Sequence, residues 1–137
     1  MLVIFDLHSI KDQFQLSYIP QKLKGELPPS ICHMRSIEIL DLSNNNLNGT
    51  IPKCLANLNN LLTVLDLRIN NFHGTIPGKF SKCRNLMILG LNKNQLGGSL
   101  LNSLLHCKEL EILDLENNKI IGTLPKLKVL VLRSNKF

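Results

Sequence analysis

The chain has 137 residues, of which 44% are hydrophobic and 19% charged, and its formal net charge is +6. This length suits one domain, and the apolar content excludes a disordered chain. Aromatic residues make up only 4% and tryptophan is absent, so the core must be aliphatic. The basic residues are scattered and are not interleaved with aromatic side chains, which argues against a nucleic-acid partner.

The N-terminal region, residues 1–24, contains only degenerate copies of a repeat. Phe5-Asp6-Leu7 and Leu16-Ser17-Tyr18 resemble strands, but their first residues are only 11 positions apart, less than one full repeat. The opening apolar run stops at Asp6, too early for the hydrophobic segment of a signal peptide. No stretch approaches the roughly 18 apolar residues that would span a membrane. We therefore expect neither an export signal nor an anchor in this sequence.

Residues 25–125 carry a regular repeat with a period of about 24. The markers are a Leu-x-Leu triplet, an asparagine three residues after the triplet, and a glycine four residues after that asparagine. The triplets are Leu40-Asp41-Leu42, Leu65-Asp66-Leu67, Leu89-Gly90-Leu91 and Leu113-Asp114-Leu115. The glycines are Gly49, Gly74, Gly98 and Gly122, preceded by Gly25. A one-residue insertion in 57–62 accounts for the single 25-residue step. Such a period predicts a solenoid in which each coil adds one strand to a parallel sheet.

The repeated asparagine falls where the chain leaves the sheet. Its amide can serve a buried N–H and a buried C=O together, so stacked copies predict an internal ladder; the alternative is that these asparagines only favour turns. The predicted ladder residues are Asn45, Asn70, Asn94, Asn118 and Asn135.

The C-terminal coil, residues 126–137, is short. Leu113 and Leu130 are only 17 residues apart, and the missing residues come from the return path, because Leu127 follows Pro125 almost at once. Two residues reach only about 7 Å. We therefore predict a truncated, distorted repeat whose strand at 129–132 is not paired in register with its neighbour.

Four cysteines leave several interpretations open. Cys83 and Cys107 share one apolar position in adjacent coils, which favours buried thiols, although a bridge between coils is also conceivable. Cys32 and Cys54 occupy other positions of the repeat. No cysteine or histidine spacing suits zinc, so we expect no metal and no cofactor.

The repeat resembles the plant-specific leucine-rich repeat, whose mark is the Gly-x-Ile-Pro segment seen at Gly49–Pro52 and Gly74–Pro77. The stretches Asp66–Pro77 and Leu132–Phe137 look like the ectodomains of plant receptor-like proteins. The resemblance implies an α/β-type repeat: a right-handed leucine-rich-repeat solenoid with a parallel sheet on its concave face and irregular or 3-10 segments on its convex face. A second short strand on the flank is also implied. Members of that family begin with a cysteine-bearing cap, and no paired-cysteine cluster or other cap is recognisable here, so we expect exposed ends that favour self-association.

The implied function is binding of a protein or peptide ligand, or of a co-receptor kinase, by a cell-surface receptor of defence or development. The parent receptor would lie at the plasma membrane on its extracellular side, without direct membrane contact from this chain. A soluble inhibitor like those that block microbial polygalacturonases, or a non-functional fragment, are the alternatives. No catalytic motif occurs, so an enzyme is not expected. If the parent is secreted, Asn48 of the sequon Asn48-Gly49-Thr50 is a conditional glycosylation site.

Recognition in a solenoid is expected on the outward side of the concave strands. Positions beside the buried leucines form columns, and the column of mixed charge is the strongest candidate for partner contact, because mixed signs suit a protein better than a polyanion. The aspartate column is expected to be partly structural, with an arginine offsetting the repulsion between stacked carboxylates. The candidate ligand-binding residues are Asp66, Arg68, Asn92, Lys93, Asp114, Glu116 and Arg133.

Overall fold

A computed structural model describes residues 23–57, 61–78, 80, 84–99, 104, 107–122 and 129–131. The predicted degenerate repeats at 1–24 lie almost wholly outside the described residues. The described strands are β1 (Lys24–Glu26), β2 (Ile39–Asp41), β3 (Asn46–Asn48), β4 (Val64–Asp66), β5 (His73–Thr75), β6 (Ile88–Gly90), β7 (Gln95–Ser99), β8 (Ile112–Asp114), β9 (Lys119–Ile121) and β10 (Val129–Val131). Two 3-10 segments, Pro29–His33 and Lys53–Asn57, lie between strands.

Five strands form the main sheet in the order β10-β8-β6-β4-β2, and every pair is parallel. The central leucine of each repeat stacks on its equivalent, and the described central leucines are at most 1% exposed. These leucines are Leu40, Leu65, Leu89 and Leu113. Each coil therefore buries one leucine row against a shared core, and the predicted leucine-rich-repeat solenoid is confirmed.

The last strand of the main sheet differs from our expectation. β10 pairs with β8 in register, with Leu130 opposite Leu113, so the prediction of a mispaired strand is wrong. Pairing with the main sheet needs only three residues in the extended conformation, and β10 supplies them. The chain that leads back to β10 is nevertheless seven residues shorter than in the regular coils. That return path, 123–128, lies outside the described residues, so the distortion expected there stays a prediction.

Shorter strands form a second layer on the flank of the coils. β1 pairs with β3, and β7 pairs with β5 and β9, all in parallel; Thr50 and His73 form a single bridge between the two groups. Partners in the flank strands are 22 residues apart, as in Lys24 with Asn46, whereas main-sheet partners are 24 or 25 apart in β2–β8. The pairing of successive coils in the flank is therefore shifted by two or three residues relative to their pairing in the main sheet.

The turn after each main-sheet strand requires a left-handed residue directly before the ladder asparagine. Asn44, Ile69, Lys93 and Asn117 have φ between 51° and 57°. The repeated glycine also has a positive φ, and it additionally lies close to the preceding coil. A Cβ on Gly98 would come within 2.6 Å of the Thr75 Cγ2 atom, so a larger residue there would force the flank strands apart.

The asparagines at the predicted ladder positions link consecutive coils. The Asn94 Oδ1 atom accepts a hydrogen bond from the Phe72 backbone N–H at 3.0 Å, and its Nδ2 donates to the carbonyls of Leu67 and Leu91. Asn70 and Asn118 make the same set of contacts and are likewise buried, at 7% exposure. Asn45, which is half-buried, accepts from the Leu23 N–H. Asn135 lies outside the described residues.

The 3-10 segments carry a disulfide that the sequence interpretation missed. Cys32 and Cys54 are bonded, with an S–S distance of 2.02 Å and a Cα–Cα distance of 5.5 Å. A search for cysteines at the repeat period of 24 does not pair these two, because they are 22 residues apart. Cys107 is also disulfide-bonded and buried, so its interpretation as a free core thiol is wrong. Cys83 lies outside the described residues.

Candidate recognition surface

The outward side of the main sheet, which we call the open face, is set by the alternation of side chains along each strand. In β2 the side chain of Leu40 is buried, whereas Ile39 and Asp41 on either side of it are partly exposed. Backbone hydrogen bonds between coils continue beyond the three-residue strands, for example from the Asn44 N–H to the Arg68 carbonyl at 2.9 Å. The open face therefore includes the two or three residues that follow each strand.

The aspartates of the open face fix the backbone where each strand ends. Asp41 accepts hydrogen bonds from the backbone N–H and the hydroxyl of Ser43, at 2.9 and 2.6 Å. Asp66 and Asp114 accept from the backbone N–H two residues later. This i to i+2 contact satisfies an N–H that points away from the core, which agrees with a partly structural column.

Arg68 and Asp66 form a forked ion pair on this face. The Arg68 Nε atom donates to both carboxylate oxygens at 2.8 and 3.0 Å, and a terminal nitrogen donates to Oδ2 at 2.6 Å. The hydrogen bond to Asp66 raises the pKa of Arg68 above its ordinary value, with Asp114 and Asp41 adding to the effect. The Arg68 side chain is 46% exposed against 12% for Asp66, so the guanidinium is the accessible half of the pair.

Gly90 interrupts the aspartate column and makes room for this pair. A Cβ at that position would lie 2.9 Å from the Asp66 Oδ1 atom and 3.0 Å from the Arg68 side chain. An aspartate there would collide with the folded arginine and add a fourth carboxylate to the column of Asp41, Asp66 and Asp114. Because Gly90 has no side chain, the Arg68 side chain packs over it, and Gly90 is buried.

Asn92 lies on the next coil and orients the neighbouring carboxylate. Its Nδ2 atom donates to the Asp114 Oδ2 atom at 2.8 Å. Among the described residues, its buried Oδ1 atom has no hydrogen-bond partner. Asn92 and Asp114 thus form a second polar pair beyond Gly90.

The structure brings four of the seven candidate residues into two pairs, Asp66 with Arg68 and Asn92 with Asp114. Lys93 is exposed in the turn and Glu116 is half-exposed, and the Lys93 backbone N–H donates to the Glu116 carbonyl at 2.9 Å. Arg133 lies outside the described residues. Reasoning from charge alone did not select the exposed apolar positions Met87 and Ile112, which are 41% and 36% exposed.

The described part of the chain also bears on metal binding and on membrane crossing. No group of three or more His, Cys, Asp or Glu side chains there is arranged to hold a metal ion. Within the same residues, no helix has the length and apolarity required to cross a membrane.

Stacked coils with buried leucines, an asparagine at each turn and an open parallel sheet define a leucine-rich-repeat protein. Family models described as leucine rich repeat match residues 36–58 and 60–120, more than half of the chain. The chain therefore belongs to the leucine-rich-repeat family.

Individual relatives place it more finely. The chain is 44% identical over 120 residues to Receptor-like protein 53 of Arabidopsis thaliana. The matched region covers 82% of this chain and 12% of that protein. It is similar to the ectodomain of the receptor kinase SOBIR1 from Arabidopsis thaliana, with a TM-score of 0.76, 35% identity, and 85% of this chain and 68% of that one covered. The plant peptide hormone receptor RGFR1 in complex with RGF2 has a TM-score of 0.76 and 34% identity over 83% of this chain and 19% of that one. The chain spans 12% of Receptor-like protein 53 and 14% of Receptor-like protein 32, both of Arabidopsis thaliana.

Proposed function

We propose that this chain is a recognition segment of a plant receptor-like protein and that it binds a peptide or protein ligand, or a co-receptor, through the open face of its main sheet. The observation that carries the proposal is this face itself: a parallel sheet with ordered polar pairs and half-exposed apolar residues. Binding, and not catalysis, is the role that such a surface supports, because specific contacts there are spread over several coils.

The relatives support the kind of partner. RGFR1 is a peptide hormone receptor and was solved with RGF2 bound, and SOBIR1 is a receptor kinase with a leucine-rich-repeat ectodomain. Both contain coils of the same kind as those described here. A peptide ligand or a kinase co-receptor is therefore the partner that we propose for this chain.

The disulfides support an extracellular location for the parent. Disulfides persist in oxidising compartments and are rare in the cytosol. Here Cys32 is bonded to Cys54, and Cys107 is also in a disulfide. Together with the receptor-like relatives, this chemistry favours a parent at the plasma membrane with these coils on the extracellular side.

The test is a binding screen with matched surface variants. The chain is secreted from insect cells and measured by surface plasmon resonance against plant extracellular peptides and receptor-kinase ectodomains. One variant replaces Arg68, Lys93 and Glu116 on the open face with alanine. A control replaces Arg35, Lys53 and Glu109, which are two basic residues and one acidic residue outside that face, with alanine, so that both variants change the net charge equally.

We expect a partner whose binding is lost in the open-face variant and kept in the control. Loss in the control with retention in the open-face variant would place recognition elsewhere on the molecule. Failure of every probe to distinguish the two variants would also refute a binding role for this face.

We also propose that Asn48 carries a glycan. Asn48 is exposed in β3 and Thr50, which completes the sequon, is exposed too, so the acceptor amide is accessible on the flank and away from the open face. In the secreted chain, mass spectrometry should show a hexose-containing adduct that is absent from Asn48→Gln. An unmodified mass for the parent chain would refute this assignment.

A further inference from the structure

Charge is distributed unevenly over this molecule. The segments 38–45, 63–70, 87–94 and 111–118 make up the open face and its entry edge over the four strands β2, β4, β6 and β8, and they contain six carboxylates but only two basic residues. Their net charge is −4, whereas the whole chain carries +6. The carboxylates are Glu38, Asp41, Asp66, Glu111, Asp114 and Glu116. Over these four strands the open face is therefore an acidic region of a basic chain, and its field favours a cationic partner.

An apolar row runs beside the aspartates on the same face. Ile39, Val64 and Ile88 are partly exposed in consecutive strands, and Ile112 is 36% exposed. Met87, at the entry edge, adds a further exposed apolar side chain. The side chains of this row do not belong to the core, because the buried leucines lie on the other side of the sheet.

The two rows are parallel because each strand contributes one residue to each. Ile39 and Asp41 are two positions apart in β2, a distance of about 6.6 Å along a parallel strand. Three strand spacings of about 4.8 Å separate β2 from β8, or about 14 Å in all. An extended segment of four or five residues covers that length at about 3.3 Å per residue.

We propose that the open face binds an extended segment of a partner protein in which basic and apolar side chains alternate. The segment runs across the strands above the boundary between the rows, with its apolar side chains on Ile88 and Ile112 and its basic side chains toward Asp41 and Asp114. This inference rests on the proposed function, and it adds the chemistry of the partner.

The ion pair of Arg68 with Asp66, which packs over Gly90, lies at the centre of this surface. Asp66 is already neutralised by Arg68, so the uncompensated carboxylates lie on either side, at Asp41 and Asp114. The Asn92 amide holds the Asp114 carboxylate through Oδ2, which orients it without supplying a counter-charge. A partner cation at Asp114 therefore gains attraction without displacing an existing ion pair.

The experiment measures peptide binding to the 137-residue chain by fluorescence anisotropy. The probe is a capped, labelled eight-residue peptide of alternating arginine and leucine. A glutamate–leucine peptide and an arginine–serine peptide of the same length separate the contributions of charge and of apolar contact. We expect the arginine–leucine peptide to bind about tenfold more tightly than either comparison peptide, with an affinity that falls as salt is added.

Two variants locate the contact. Asp114→Asn should weaken binding of the arginine–leucine peptide roughly threefold, the range of one exposed ion pair. Ile112→Thr should weaken it by a similar factor at high salt as well as low salt, because apolar contact is not screened. Glu26→Gln removes the same charge from the flank and is the matched control, with affinity unchanged. Circular dichroism of each variant verifies that it is folded.

The result that overturns the inference is equal or tighter binding of the glutamate–leucine peptide, or equal effects of Asp114→Asn and Glu26→Gln. A concentration-dependent dimer that Asp114→Asn abolishes would overturn it too, because the occupant would then be a second copy of this chain. None of these results removes the proposed function, which depends on loss of partner binding in the Arg68, Lys93 and Glu116 variant.

Discussion

At the residue scale, the asparagine in the turn after each main-sheet strand links two consecutive coils by hydrogen bonds. Asn94 satisfies one N–H and two carbonyls from two different coils, all in a buried environment. These backbone groups have no strand partner at the point where the chain turns. A single side chain therefore replaces the hydrogen bonds that a continuing sheet would have made.

Removal of this side chain should be costly. We expect Asn94→Ala to lower the free energy of unfolding by about 1–3 kcal/mol, because it leaves the buried Phe72 N–H unpaired and removes one of the two side-chain donors to each of the Leu67 and Leu91 carbonyls. Asn71→Ala, which replaces an exposed asparagine beside Phe72 in the preceding coil, is the control and should change little. A thermal melt within one degree of the parent for Asn94→Ala would contradict the ladder.

Ile69 shows a local conflict between sequence and fold. It is β-branched, 43% exposed, and has a φ of 56°, a conformation that costs L-residues roughly 1–2 kcal/mol. The equivalent residues Asn44 and Asn117 have side chains that tolerate this region well.

Replacing Ile69 should relieve that strain. We expect Ile69→Asn to raise the free energy of unfolding by about 1 kcal/mol, as measured by urea denaturation. The reverse change, Asn44→Ile, should lower it by a similar amount. An unchanged free energy of unfolding in both variants would show that the turn adapts to either residue.

The 3-10 segments act at the scale of elements. Pro29–His33 and Lys53–Asn57 lie on successive coils, and the disulfide between Cys32 and Cys54 ties them directly. Both cysteines also pack against the hydrophobic core. The bond therefore links two coils on the side opposite to the hydrogen-bonded strands.

Loss of this disulfide should loosen the first described coils. The closed loop spans 22 residues, so the Cys32→Ala and Cys54→Ala double variant should lose about 3 kcal/mol. Differential scanning calorimetry of the variant is preferable to adding reductant, because Cys107 is also bonded. An unchanged melting temperature would mean that the core alone holds these coils together.

The elements that could be predicted from sequence are those governed by strict spacing. Leucines at a period of 24 predicted the main sheet, because burial of one face demands an exact phase. The Cys32–Cys54 bond was missed because its two cysteines are 22 residues apart, and a comparison at the leucine period of 24 does not pair them. The packing of Arg68 over Gly90 escaped prediction for a different reason: it depends on where the Arg68 side chain folds, which spacing does not determine.

At the scale of the whole molecule, one hydrophobic cluster runs through the described coils, from Leu23 to Ile120. Each coil contacts its neighbours through the main sheet, the ladder and this core. Nearest-neighbour contacts of this kind make unfolding a linked process along the solenoid.

We therefore expect one cooperative urea transition for the described coils. Circular dichroism and hydrogen exchange of the ladder-bound amides of Leu47, Phe72 and Leu96 should give the same midpoint, because all three depend on two coils being in place. Separate midpoints for Leu47 and Leu96 would show that the two ends of the solenoid unfold independently.

The ladder also has a direction. Each asparagine accepts a hydrogen bond from the coil before it. The Leu47 N–H therefore lacks its acceptor until Asn70 is in place, and the Phe72 N–H lacks its acceptor until Asn94 is in place. On the ribosome the N-terminal coils emerge first, and each bend remains incomplete until another 22 or 23 residues have left the exit tunnel. Native structure during translation should therefore trail the growing end by one coil.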